Sequence, residues 1–327
     1  MIHSLAQKLD ILKEQISHSM LEWMAQGEPA ALYEPMRYAV SAGGKRLRPI
    51  LLQLACESVG GHTAQALDAA VALEMVHNFT LVHDDIMDHD DLRRGRQTLH
   101  KRWDESTAIL AGDGLLVLAY LALSRVKIPN PQEVWRRFSL GILKVCEGQA
   151  LDKAYEQRDD LSLDDYLEMI DKKTAELFAM ASEVGAIIGG GRGDQVTAMR
   201  RYGATLGRAF QIQDDLLDIV ADEGELGKTI GSDLKEGKKT FLMVHALNRP
   251  DEELVRRLRE RLNRNPITAE DVLAVRELLV QTGTLKAARD EIERALARAR
   301  ETLQPIPDNA AKNHLIQLLQ LVAARRS

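Results

Sequence analysis

Apolar residues recur at three- and four-residue steps through residues 5–24, 66–87, 108–126, 134–155, 166–188, 196–220, 240–247, 272–280 and 285–303. That spacing gathers them on one face of a helix, so each stretch is expected to be helical. The punctuation between them is short: Gly43-Gly44, Gly60-Gly61, Pro129-Asn130-Pro131, Gly189-Gly190-Gly191 and Thr282-Gly283-Thr284. No linker, low-complexity tract or strand-like run interrupts the pattern, and nine prolines with 4% aromatics suit helices. The expectation is an all-α fold, one domain over residues 1–327, with long antiparallel helices joined by short turns.

A net charge of −6 argues against nonspecific nucleic-acid binding. Cys56 and Cys146 have neither a CxxC nor a neighbouring histidine pattern, so no disulfide framework or zinc site is expected and a reducing cytoplasm is the default. Residues 1–26 lack the basic start and apolar run of a signal peptide. No uninterrupted apolar run approaches the roughly 18 residues of a membrane span, so membrane contact is expected to be peripheral at most.

Two acid-rich pentads, Asp84-Asp85-Ile86-Met87-Asp88 and Asp214-Asp215-Leu216-Leu217-Asp218, interrupt this pattern near helix ends. Residues four apart share a helical face, so Asp84 with Asp88, and Asp214 with Asp218, each present two carboxylates together. Such pairs at a helix C-terminus oppose the macrodipole at about 0.3–1 kcal/mol per charge. Either pentad alone could be a solvated helix end, but their repetition implies a cation, and oxygen-only ligands suit Mg2+. The similar run Asp164-Asp165-Tyr166-Leu167-Glu168 instead follows Ser162, where capping of a helix start explains it.

The basic counterpart is Gly43-Gly44-Lys45-Arg46-Leu47-Arg48, three cations beside two glycines, able to grip a phosphate but, taken alone, more readily a solvated turn. Arg93-Arg94 follow the first pentad, and Lys228, Lys235, Lys238 and Lys239 follow the second. With a metal on the acids and polyanions on the bases, the logical ligands are two diphosphates, one chelated and one held directly.

In this order the motifs resemble the trans-polyprenyl diphosphate synthases: Gly43 to Pro49, His83 to Asp88 with Arg93-Arg94-Gly95, Lys173-Thr174, Phe210 to Asp218, and Leu226-Gly227-Lys228. They span residues 41 to about 240. The resemblance implies helices around a deep central cavity and the joining of isopentenyl diphosphate to an allylic diphosphate (dimethylallyl, geranyl or farnesyl). It implies Mg2+, three ions to a site, on Asp84, Asp88 and Asp214, with Asp85, Asp215 and Asp218 contributing directly or through water. Arg93, Lys173, Gln211, Lys228 and Lys238 would serve the allylic diphosphate, and Lys45, Arg48, His77 and Arg94 isopentenyl diphosphate. Thr174 and Gln211 would place dipoles near the developing cation, and Phe210 would line the site. A homodimer is usual in such a family.

Allylic C–O cleavage puts charge on the departing diphosphate, which metal, Lys and Arg arranged in advance stabilise. Water must be kept out, so the glycine-punctuated stretch from Asp222 to Lys239 reads as a lid. By the same resemblance Phe79 and Thr80, five and four residues before Asp84, bear on chain length; one aromatic followed by a small residue resembles geranylgeranyl diphosphate synthases. The alternatives are a farnesyl or longer-chain synthase and a non-catalytic subunit of a heteromeric synthase. A terpene cyclase does not need the isopentenyl grip, and a non-catalytic subunit loses aspartates, whereas all six are present here.

Overall fold

The computed structural model describes residues 4–220, 231–264 and 266–324, and helices dominate it. The expected helices form as α1 (Leu5–Glu22), α4 (Leu67–Met87), α6 (Glu105–Leu123), α7 (Pro131–Tyr155), α8 (Leu163–Ile170) with α9 (Glu176–Ile188), α10 (Gly193–Val220), α12 (Phe241–Leu247), α14 (Ala269–Gln281) and α15 (Thr284–Thr302). Their ends lie within a few residues of the apolar pattern. Six more were not separated in the sequence: α2 (Ala30–Ser41), α3 (Leu47–Ser58), α5 (Leu99–Arg102), α11 (Ser232–Lys235), α13 (Glu252–Leu262) and α16 (Ala310–Ala323). Two short antiparallel strands, β1 (Leu92–Arg93) and β2 (Arg96–Gln97), also form.

Backbone packing sorts the chain into two compact units, Met1–Ile142 with Met180–Arg200 and Gln304–Gln317, and Leu143–Ala179 with Arg201–Leu303 and Leu318–Ser327. In the first unit α4 is a core helix at its start: every residue from Ala69 to Val76 is buried, and burial falls off towards the acid-rich end. α6 lies along α4 and buries small residues, Ala108, Ala111, Gly112, Ala119 and Ala122. Gly112 is needed there, because a Cβ would fall 2.3 Å from His83 Nε2. By length and composition α6 is apolar enough to cross a membrane, with a mean hydropathy of 1.8. Its apolar run is nevertheless interrupted by Asp113, and the helix passes that test because both of its faces are apolar.

In the second unit, Ser162 caps α8 as expected, accepting from the Asp165 N–H at 3.1 Å while Asp165 accepts from the Ser162 N–H at 2.9 Å. The continuous helix expected over 166–188 is broken by a π turn at Asp171–Ala175. A wide turn of this kind often marks a functional position. Gly148 of α7 receives it, since a Cβ at 148 would lie 2.2 Å from the Lys173 nitrogen.

Candidate active site

The end of α4 carries the first pentad. Asp88 is its C-cap and donates its N–H to the Asp84 carbonyl at 2.9 Å. No basic residue lies in the last turn of α4, so the two carboxylates sit where the helix dipole disfavours negative charge. Asp84 and Asp88 are partly exposed, whereas Asp85 is buried and taken by the Arg93 guanidinium, which also reaches Asp90 at 3.2 Å. Burial pushes Asp85 up to about 6, with Arg93 pulling the other way.

Arg93 is placed by the β1–β2 hairpin, whose two-residue loop, Arg94-Gly95, has positive φ at both positions (53° and 73°). Such a loop matches the twist of a tight hairpin. Tyr38 of α2 pins it, donating to the Gln97 carbonyl at 2.9 Å under the Arg96 guanidinium, 3.9 Å from the ring centre. The loop sends consecutive arginines to different partners: Arg93 to the acids of α4, and Arg94 to the Gly43 carbonyl. Arg94 lies so close to Gly44 that a Cβ there would sit 3.0 Å from the guanidinium.

The basic loop before α3 thus meets Arg94, and it meets α4 as well. Arg48 Nη1 lies 3.3 Å from His77 Nε2. Burial, then the charges of Arg48, Arg94, Arg46 and Arg93, hold His77 well below the usual histidine range. A neutral ring accepting at Nε2 carries its proton on Nδ1, leaving one donor for an anion. Lys45 is exposed. The structure therefore gathers Arg48, His77 and Arg94 around the Gly43-Gly44 loop, with Lys45 on the same turn.

In the second unit α10 carries the other pentad. Asp214 is partly exposed; Asp215 and Asp218 are 3% and 8% exposed. Asp215 accepts from the Tyr166 hydroxyl at 2.6 Å, the Phe241 N–H at 2.9 Å and Gln211 Nε2 at 2.9 Å. Burial, reinforced by Asp233, pushes it up to about 7 against these donors. Asp218 accepts from the Ser232 N–H and hydroxyl, at 3.1 and 2.8 Å, and from the Asp233 N–H at 3.2 Å. Both carboxylates are thus engaged by donors of the protein itself.

The π turn brings Lys173 and Thr174 to this network. Lys173 Nζ lies 2.5 Å from Asp152, so it is no freely solvated lysine, and the Thr174 hydroxyl donates to Gln211 Oε1 at 2.8 Å. Phe210 packs against Phe178, ring centres 5.2 Å apart. Lys238 pairs with Glu236 at 2.7 Å. Lys228 and the first half of the expected lid, residues 222–230, lie outside the described residues. Sequence reasoning missed Asp152, gave Arg46 no role beyond its place in the basic run, and read Tyr166 only as part of the helix start after the Ser162 cap.

Asp84 and Asp88 at the end of α4, and Asp214 on α10, each offer oxygen only, which suits a hard cation, and among the described residues no three acids, histidines or cysteines form a protein-only metal cage. Mg2+ is ordinarily held by one or two carboxylates with substrate phosphates and water.

Residues 29–279 match the family model described as polyprenyl synthetase. A geranylgeranyl diphosphate synthase of Methanosarcina mazei is 38% identical over 323 residues, 97% of this chain and 98% of that protein. A geranylfarnesyl diphosphate synthase of Natronomonas pharaonis is 37% identical, over 98% and 97% of the two chains. A crystal structure of geranylgeranyl pyrophosphate synthetase from Pyrococcus horikoshii superimposes with a TM-score of 0.93 at 36% identity, covering 98% of each chain.

Proposed function

Because the chain belongs to the polyprenyl synthetase family and is a prenyltransferase, we propose that it extends an allylic diphosphate with isopentenyl diphosphate to give geranylgeranyl diphosphate. The observation that carries this reading is the divergence of Arg93 and Arg94 at one hairpin turn. One arginine belongs to the acid-ended helix and the other to the basic glycine loop, so two anions are gripped side by side.

In this reading Asp84, Asp88 and Asp214, with Arg93, Lys173, Lys228 and Lys238, hold the allylic diphosphate, and Lys45, Arg48, His77 and Arg94 hold isopentenyl diphosphate. Bound Mg2+ supplies Lewis-acid stabilisation of the departing diphosphate. Asp85 orients Arg93, while Asp215 and Asp218 brace α10 and the turn at residue 232. As the allylic C–O bond breaks, the lone pairs of Thr174 and Gln211 oxygens favour positive charge on the prenyl carbon. The isopentenyl double bond then attacks, the new C–C bond forms, and the proton passes to the released diphosphate. No side-chain base is required.

Phe79 on α4 supports the product length. Its ring meets His83 edge to face at 4.8 Å, and His83 is seated over Gly112 of α6. A homodimer is supported by Leu110, Val117 and Leu121, which share one face of α6 and are 60%, 59% and 50% exposed. A cytoplasmic location agrees with two free cysteines. Incubation with isopentenyl diphosphate, Mg2+ and each allylic primer, with product length read by mass spectrometry, tests the reading. Mainly the twenty-carbon diphosphate is expected; longer products overturn Phe79 as a limit, and no turnover with any primer returns the chain to a non-catalytic subunit.

A further inference from the structure

Arg46 differs from its neighbours in the basic run. Lys45 is exposed and Arg48 reaches His77, but the Arg46 side chain turns inward and is 2% accessible. The backbone makes that turn with φ of 78°, 130° and 48° at Gly43, Gly44 and Arg46. Two of these positions are glycine, to which the left-handed region is open; Arg46 is not, so its conformation has to be held by something else.

What holds it is a buried acid. Arg46 Nη1 donates to Glu74 Oε1 at 2.5 Å, and Nη2 donates to the Val40 carbonyl at 2.6 Å. Glu74 is itself 2% accessible. Asn78 Nδ2 completes the cluster, 3.5 Å from Glu74 Oε1 and donating to the Glu74 carbonyl at 2.7 Å. Glu74 and Asn78 bracket His77 on one turn of α4, and the same helix ends in Asp84 and Asp88. The ion pair therefore ties the loop bearing Lys45 and Arg48 to the helix bearing His77.

We propose that Arg46 and Glu74 are the positioning pair of the isopentenyl diphosphate grip: they fix the left-handed loop so that Lys45 and Arg48 face the anion together with His77 and Arg94, and touch no substrate themselves. This rests on the reading that those four residues hold isopentenyl diphosphate. A pair that merely filled space could be exchanged for apolar groups of similar volume without functional cost, because buried ion pairs often add little net stability. A positioning pair could not.

The test is the double variant Arg46→Met/Glu74→Leu, which strands no buried charge, beside Arg46→Lys, which keeps the charge but loses the forked contact to Glu74 and Val40. Melting temperature and separate KM values for isopentenyl diphosphate and for the allylic primer are measured in full-length protein. The expected result is near-native melting, KM for isopentenyl diphosphate raised about tenfold or more, and allylic KM within about twofold, with Arg46→Lys intermediate. Unchanged KM for both substrates, or an equal rise in both, overturns the proposal. If the double variant does not fold, Arg46→Lys decides: a selective rise in isopentenyl KM upholds the pair, and its absence overturns it. Arg48→Ala separates the premise, since an unchanged isopentenyl KM in that variant removes the grip itself, and the proposal with it.

Discussion

His77 is neutral before any diphosphate arrives, since burial and the guanidinium groups led by Arg48 disfavour its charged form. Bringing an anion to the same cluster reverses part of that effect. Histidine NMR is therefore expected to show a His77 ring unprotonated near pH 6.5 in the free enzyme, with its pKa moved upward on adding isopentenyl diphosphate; no movement would place the anion elsewhere. Asp215 yields a second residue-scale prediction. Held at about 7, it is protonated near pH 5 and ionised near pH 8, and the Tyr166 hydroxyl favours the ionised form. Tyr166→Phe should cost about 1–3 kcal/mol in metal-free denaturation near pH 8 and clearly less near pH 5. A cost equal at both pH values would contradict the assigned hydrogen bond. The six aspartates were legible as a set in the sequence, and the family resemblance already separated Asp84, Asp88 and Asp214 from Asp85, Asp215 and Asp218, but not the physical ground of that division, partial exposure of the first three and protein donors on the others. That division depends on donors such as Tyr166 and the Phe241 N–H, distant in sequence and without a motif.

Helix α4 carries the first acid-rich pentad, His77 and Phe79, and it packs on α6, where His83, the ring against Phe79, sits over Gly112. Phe79→Ala is expected to lengthen the product, read as a shift beyond twenty carbons; an unchanged distribution returns Phe79 to ordinary packing. Gly112→Ala forces a methyl group into His83 and should lower stability by about 1–3 kcal/mol in thermal melts. Periodicity located α4 and α6 to within a few residues because each buries a broad apolar stripe. It could not show the π turn at Asp171–Ala175, since one wide turn within 166–188 hardly disturbs the apolar spacing. Nor did it separate α2, which contains Pro35, or α13, whose eleven residues Glu252–Leu262 are mostly charged and bury only Leu258. The hairpin was invisible because each strand is two residues long.

For the whole molecule, composition and period were enough for the all-α class, because hardly any residue demands a strand and the turns are short. The exposed apolar face of α6, which carries Ile109, Leu110, Val117 and Leu121, could not be told from its buried face in sequence, as both are apolar and both hold leucines. Replacing Leu110 and Leu121 with Glu is expected to convert a dimer to monomer in sedimentation velocity, with the helical signal intact; an unaltered dimer would place the interface elsewhere. The proposed reaction is a metal-dependent condensation of two diphosphates, and incorporation of labelled isopentenyl diphosphate onto farnesyl diphosphate across an EDTA and Mg2+ cycle tests it. Incorporation that stops with EDTA and returns with Mg2+ is the predicted result; incorporation that persists without divalent metal, or never appears with it, would contradict the account.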